Sequence, residues 1–107
     1  MKADKFDQLL TLRFEKMQRL MGSKASEYAS DKDRLHNFKR AGALLECSPE
    51  RALIGMLTKH IVSVLDIVDN VDVGQKVKAE FWEEKIGDVM NYCHLLDALM
   101  HERGFAK

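Results

Sequence analysis

Two carboxylates one helical turn apart, Glu84 and Asp88, followed by Asn91 and Tyr92, are the side chains of this chain best placed to do chemistry. At i and i+4 they project from one side of a helix. Such a pair suits Mg²⁺, which takes oxygen ligands and keeps several waters that substrate phosphates can replace. Asn91, one turn beyond Asp88, can add a carbonyl ligand or read the edge of a base. The spacing alone is common on solvated helices, and its interest lies in the surroundings. Advancing about 100° per residue, Phe81, Trp82, Ile86, Val89, Tyr92, Cys93, Leu95, Leu96, Leu99 and Met100 share an apolar arc. Lys85 and Asp88 fall inside that arc, and Glu84 and Asn91 flank it. A carboxylate in an apolar face has to be paired, bound to a ligand or neutralised, because stranding it there is strongly unfavourable.

His60 is the natural partner. It falls within the arc formed by Leu53, Ile54, Met56, Leu57, Ile61, Val64, Leu65, Ile67 and Val68, whereas Lys59 and Asp66 lie outside it. An imidazole hydrogen-bonded to a carboxylate satisfies both groups and needs no function. The same two groups, with Glu84 and Asn91, can equally line a ligand pocket. Lys24 and Tyr28 either cover the edge of the core, with the lysine snorkelling, or point into that pocket. A complete metal site needs further carboxylates from a facing helix, and the candidates Asp66 and Asp69 point away. Arg34, Lys39 and Arg40 make a basic face that is either solvated or a phosphate contact. There is no Gly-rich phosphate loop, nucleophile elbow, zinc spacing, Ser/His/Asp set or Cys/His set.

Four helices have to position these groups. The first is expected from Asp4 to about Tyr28, with Phe6, Leu9, Leu10, Phe14, Met17, Leu20 and Met21 in one stripe. After a turn at 29–33, with Asp31 or Asp33 as cap, a short helix runs from Arg34 to about Glu46. Leu35, Phe38, Ala41, Gly42 and Leu45 face inward. Cys47-Ser48-Pro49-Glu50 then reads as a helix start: serine caps, proline takes the first helical position, and glutamate favours the positive end of the dipole. That third helix runs to about Asn70. A loop around Gly74 leads to the last helix, Glu80 to Glu102, which Gly104 ends, with His101 and Arg103 in its last turn. Turns of this length imply an all-α fold, a compact antiparallel bundle of about four helices forming one domain over residues 1–107.

Composition narrows the classes. With 46% hydrophobic and 32% charged residues and one proline, the chain has the profile of a soluble helical protein. Lys plus Arg equals Asp plus Glu, 17 each, so no global field favours DNA, RNA or an anionic membrane, and general nucleic-acid binding is not expected. The two cysteines, Cys47 and Cys93, fit no metal spacing or disulfide framework. Cys93 is expected as a buried thiol acting as a small hydrophobe, in a reducing, cytoplasmic setting. The start MKADKF lacks the apolar core of a signal peptide, and no apolar run approaches the roughly 20 residues needed to span a bilayer. Leu12, Val62 and Ala98 lie off the main stripes, where they could face a second copy, so a homo-oligomer is expected.

The segment EEKIGDVMNY, Glu83 to Tyr92, resembles the second acidic motif of the MazG-type all-α nucleoside triphosphate pyrophosphatases. It is also similar to the last helix of small phage proteins described as nucleotide-modification-associated. In that group a Lys-x-x-x-Tyr segment comes first, matched by Lys24 and Tyr28. An Asn-Phe helix and a basic residue on the middle helix follow, matched by Asn37-Phe38 and Lys59-His60. The pattern spans residues 24 to 99, and its specific part is the final stretch. The resemblance implies a MazG-like helical fold, often oligomeric, and a phage or prophage origin. Asp88 takes the place of the metal-ligand aspartate and Glu84 that of the first glutamate, while Asn37 and Tyr92 join the ligand-binding set. Lys85 stands where the enzymes have their second, ligating glutamate, and their E-x-x-E motif has no counterpart in MLTKHIVSVLDIV. The reading is therefore a protein that binds a nucleotide or nucleotide-like phosphate ligand, with Mg²⁺ as the cofactor that Glu84 and Asp88 would hold and with little or no hydrolysis. Lys24, Tyr28, Asn37, His60, Asn91 and Tyr92 would contact the ligand. The alternatives are a divergent Mg²⁺-dependent pyrophosphatase and a helical interaction protein in which His60, Lys85 and Asp88 only fix helix register.

Overall fold

The computed structural model describes residues 1–22 and 33–106. Its helices are α1 (Ala3–Gly22), α2 (His36–Leu45), α3 (Pro49–Asp72) and α4 (Ala79–Arg103), so the chain is all-α as its periodicity predicts. None of these helices is long and apolar enough to cross a membrane. The chain forms two compact units, Met1–Arg34 and Leu35–Lys107.

In the first unit, α1 carries Asp4 in its first turn and Arg19 in its last, matching the helix dipole. The Arg34 guanidinium donates to the carbonyl oxygens of Met21 at 3.1 Å and Gly22 at 3.4 Å. These are among the carbonyls that a helix end leaves without intrahelical partners. No residue of α1 is buried. Of its predicted apolar stripe, Phe6, Leu9, Leu10, Phe14 and Leu20 are exposed, and Met17 and Met21 are half-buried.

In the second unit the strongest local signal behaves as the sequence predicts. The Ser48 hydroxyl accepts from the Arg51 N–H at 3.2 Å, Pro49 opens α3, and Glu50 sits in its first turn. The connection from α2 is equally local in origin. Glu46 adopts the left-handed conformation at φ 57°, and the Cys47 N–H returns to the Gly42 carbonyl at 2.9 Å. Gly42 has to be glycine, since a Cβ there would lie 2.8 Å from the Cys47 carbonyl oxygen and 3.0 Å from the Pro49 nitrogen. At the far end of the chain Gly104, at φ 75°, terminates α4.

Helices α3 and α4 run antiparallel, as their cross-pairs show: Glu50 meets Arg103 and His60 meets Asp88. The core between them and α2 consists of Leu35, Phe38, Leu53, Leu57 and Leu99. Met56, Val89, Tyr92, Leu95 and Leu96 pack against it, half-buried.

Two inward placements and the breadth of two apolar arcs are corrected by this packing. Leu45, expected to face the core, is 66% exposed, because α2 ends there and the chain turns away into Glu46. Cys93, expected to be buried, is exposed. Leu99 is the one residue of α4 that is fully buried, so the helices pack against a strip narrower than its sequence arc. On α3 the wide apolar arc divides: Leu53, Leu57 and Ile67 are buried, whereas Ile54, Ile61, Leu65 and Val68 are exposed. Neighbours on one side of a helix cannot cover an arc that wraps around it.

Candidate functional site

The polar residues singled out by periodicity converge where α3 crosses the middle of α4. Leu53, Leu57 and His60 share one face of α3. Leu53 and Leu57 fill the core and His60 stands at its edge, one turn further on. From α4, Asp88 and Tyr92 come up to it. The imidazole Nδ1 lies 3.5 Å from Asp88 Oδ2, with the two side chains 29% and 34% exposed. This is a contact at the long end of the range rather than a short buried bond. The Tyr92 ring lies against the imidazole, with centroids 4.8 Å apart and planes tilted by 33°. It also meets Phe38 edge-on at 6.2 Å. A continuous stack therefore runs from the apolar core, through Phe38 and Tyr92, to the His60–Asp88 pair.

Asn91 belongs to the same turn of α4. Its Oδ1 is shut off from solvent and has no hydrogen-bond partner among the described residues. Leaving a buried acceptor unpaired costs about 1–3 kcal/mol, and a donor from outside would reach this atom only once the side chains covering it move aside. Glu84, one turn before Asp88, is exposed. Lys85 is half-buried, with its ammonium 5.4 Å from the centre of the Phe81 ring, a cation–π contact that lets a lysine sit inside an apolar arc. Asn37 is exposed on α2, next to the buried Phe38. Lys24 and Tyr28 lie outside the described residues. The structure thus brings His60, Asp88 and Tyr92 together, sets Asn91 on the same turn of α4, and leaves Glu84 and Asn37 at the surface.

Among the described residues no three His, Cys, Asp or Glu side chains are arranged to hold a metal ion. Glu84 and Asp88 could offer a cation two carboxylates, one of them already facing His60. Mg²⁺ held by one or two carboxylates relies on ligand phosphates and water for the rest of its shell. These residues fit a cation that arrives with a phosphate ligand.

A second polar cluster lies at one end of the α3–α4 pair, where the sequence singles out no site. Glu50, 8% exposed, accepts from the Arg103 guanidinium at 3.4 Å, and Lys39 pairs with Glu102. Together with Ser48, Pro49 and Leu99 these residues line a cleft of about 280 Å³. The only signal in the sequence is that two antiparallel helices of similar length set the first turn of one against the last turn of the other. Compared with known protein families, curated proteins and solved structures, the chain matches none.

Proposed function

We propose that this chain binds a nucleotide or nucleotide-like phosphate ligand at the His60–Asp88–Asn91–Tyr92 cluster, and does so without turnover. The observation that carries this reading is the buried, unpartnered Oδ1 of Asn91 on the turn of α4 that also bears the Tyr92 ring and the one-third-exposed Asp88 carboxylate. An exocyclic amino group or ring N–H of a base would satisfy that acceptor. Tyr92 supplies an apolar ring alongside, and the imidazole, when protonated, supplies positive charge. Asp88, helped by Glu84, would hold Mg²⁺ brought in with the phosphates. The lysine at position 85 and the missing E-x-x-E motif argue against hydrolysis, because a hydrolytic site needs more carboxylates than this face provides. A phage or prophage protein of this kind would act on a nucleotide pool by sequestration.

The competing reading, a helical interaction protein whose polar cluster only sets helix register, draws on the mutual pairing of His60 and Asp88. A thermal-shift screen separates the two, using nucleotides and cyclic nucleotides with and without Mg²⁺ on the wild type, Asp88→Asn and Asn91→Ala. A ligand at 100 times its Kd stabilises the folded state by about 2.7 kcal/mol, which in a chain of this size raises Tm by about 10 °C. The expected result is such a shift in the wild type, lost in both variants, with product analysis finding the ligand intact. Tm values that no nucleotide moves would eliminate the ligand-binding proposal. A shift accompanied by product formation would make the chain a pyrophosphatase.

A further inference from the structure

The unused side of α3 carries more pattern than a solvated face requires. Arg51, Ile54, Thr58, Ile61, Leu65, Val68 and Asp72 follow one another at alternating steps of three and four residues, and all seven are exposed. That spacing is the seam along which one helix packs lengthwise on another. Its middle is apolar, with Ile54, Ile61, Leu65 and Val68 between 41% and 55% exposed. Thr58 fits there because its hydroxyl donates to the Ile54 carbonyl of its own helix at 2.8 Å and so is already satisfied. Within Leu35–Lys107 a different face of the same helix, through Leu53, Leu57 and Ile67, supplies the core.

Charge identifies the occupant. The N-terminal end of this side of α3 is basic, with Arg51, and the C-terminal end is acidic, with Asp69 and Asp72, all exposed. None of these three forms an ion pair with a described residue. A second α3 laid antiparallel sets the basic end of each copy on the acidic end of the other, whereas a parallel one sets like on like. We infer that the chain forms a twofold symmetric dimer in which α3 pairs with the α3 of a second copy, antiparallel, along Ile54, Ile61, Leu65 and Val68.

The four apolar side chains of the seam are each 41–55% exposed, and polar flanks would complete the roughly 1,200 Å² at which specific interfaces begin. An apolar groove of about 580 Å³, lined by Ile67, Val68, Val71, Val77 and Trp82 among others, continues the surface at the C-terminal end of the seam. The inference is independent of the ligand reading.

The test is sedimentation velocity of the full chain over a wide concentration range, with circular dichroism confirming that each variant stays helical. The wild type is expected to be a dimer. Leu65→Asp, an exposed position that the monomer can accept, should give a helical monomer, with association weakened about 100-fold or more. Arg51→Asp and Asp72→Arg should each weaken association about tenfold, since each change counts twice across a twofold axis. The double variant should return to near the wild-type value, because the charges are then swapped but still opposite. A monomeric wild type would overturn the inference. So would a dimer indifferent to Leu65→Asp but broken by Phe14→Asp, which would place the interface on α1. A double variant weaker than either single one would overturn the antiparallel arrangement.

Discussion

The His60–Asp88 pair can be weighed by a double-mutant cycle. Each side chain is about one-third exposed, and the imidazole nitrogen and carboxylate oxygen stand 3.5 Å apart. Breaking a pair fully inside a core costs about 3–5 kcal/mol, because a charge is left without compensation. Exposed pairs measured by the same cycles contribute about 0.2–1 kcal/mol. The exposure here puts the pair near the weaker limit. A coupling of about 1 kcal/mol is expected between His60→Ala and Asp88→Ala. The single change Asp88→Ala should cost about 1 kcal/mol for the same reason. His60→Ala should cost about 1–2 kcal/mol, since it also removes the ring that packs on Tyr92. The assay is urea unfolding of the four proteins at one fixed protein concentration, comparing midpoints once the slopes are shown to agree. An Asp88→Ala loss above about 3 kcal/mol, or a coupling of that size, would refute the reasoning. The cluster would then be a buried register device. A mild loss leaves Asp88→Asn folded, so that any ligand response it loses belongs to binding.

Other consequences are as direct. Gly42→Ala should destabilise by about 1–3 kcal/mol despite alanine's better helix propensity, because the new methyl group meets backbone atoms that cannot turn aside. Gly55→Ala on α3, where nothing lies within 4 Å of the added carbon, should instead stabilise by about 0.5–1 kcal/mol. Glu46→Gly should raise stability by about 0.5–1 kcal/mol, since Glu46 holds a left-handed conformation at φ 57° that glycine adopts without a Cβ penalty. Leu53→Ala, at a position with no solvent exposure, should cost about 2–5 kcal/mol through lost burial and the cavity left behind. Chemical denaturation of each variant against the wild type checks all four.

What the sequence determined by itself was local. The Ser48-Pro49 start of α3, the Gly104 end of α4 and the helical period within each element depend on residues a few positions apart, and the structure has them where periodicity and capping put them. The meeting of His60 with Asp88 was legible because both fall on apolar arcs that have to face something, and polar groups on such arcs seek one another. Tertiary structure decided everything that depends on which side of an arc is covered. Helix periodicity reports that α3 is apolar over a wide angle, but only packing leaves Leu53 inside and Leu65 out. The same limit explains Cys93 and Leu45, apolar by position and exposed because no described helix covers them. The Glu50–Arg103 and Lys39–Glu102 pairs were invisible for a related reason: they join residues 53 and 63 positions apart, and that register is set by how antiparallel helices slide into contact. The unpartnered Asn91 oxygen is a property of the assembled core alone. No pattern along a chain records a hydrogen bond that is left unmade.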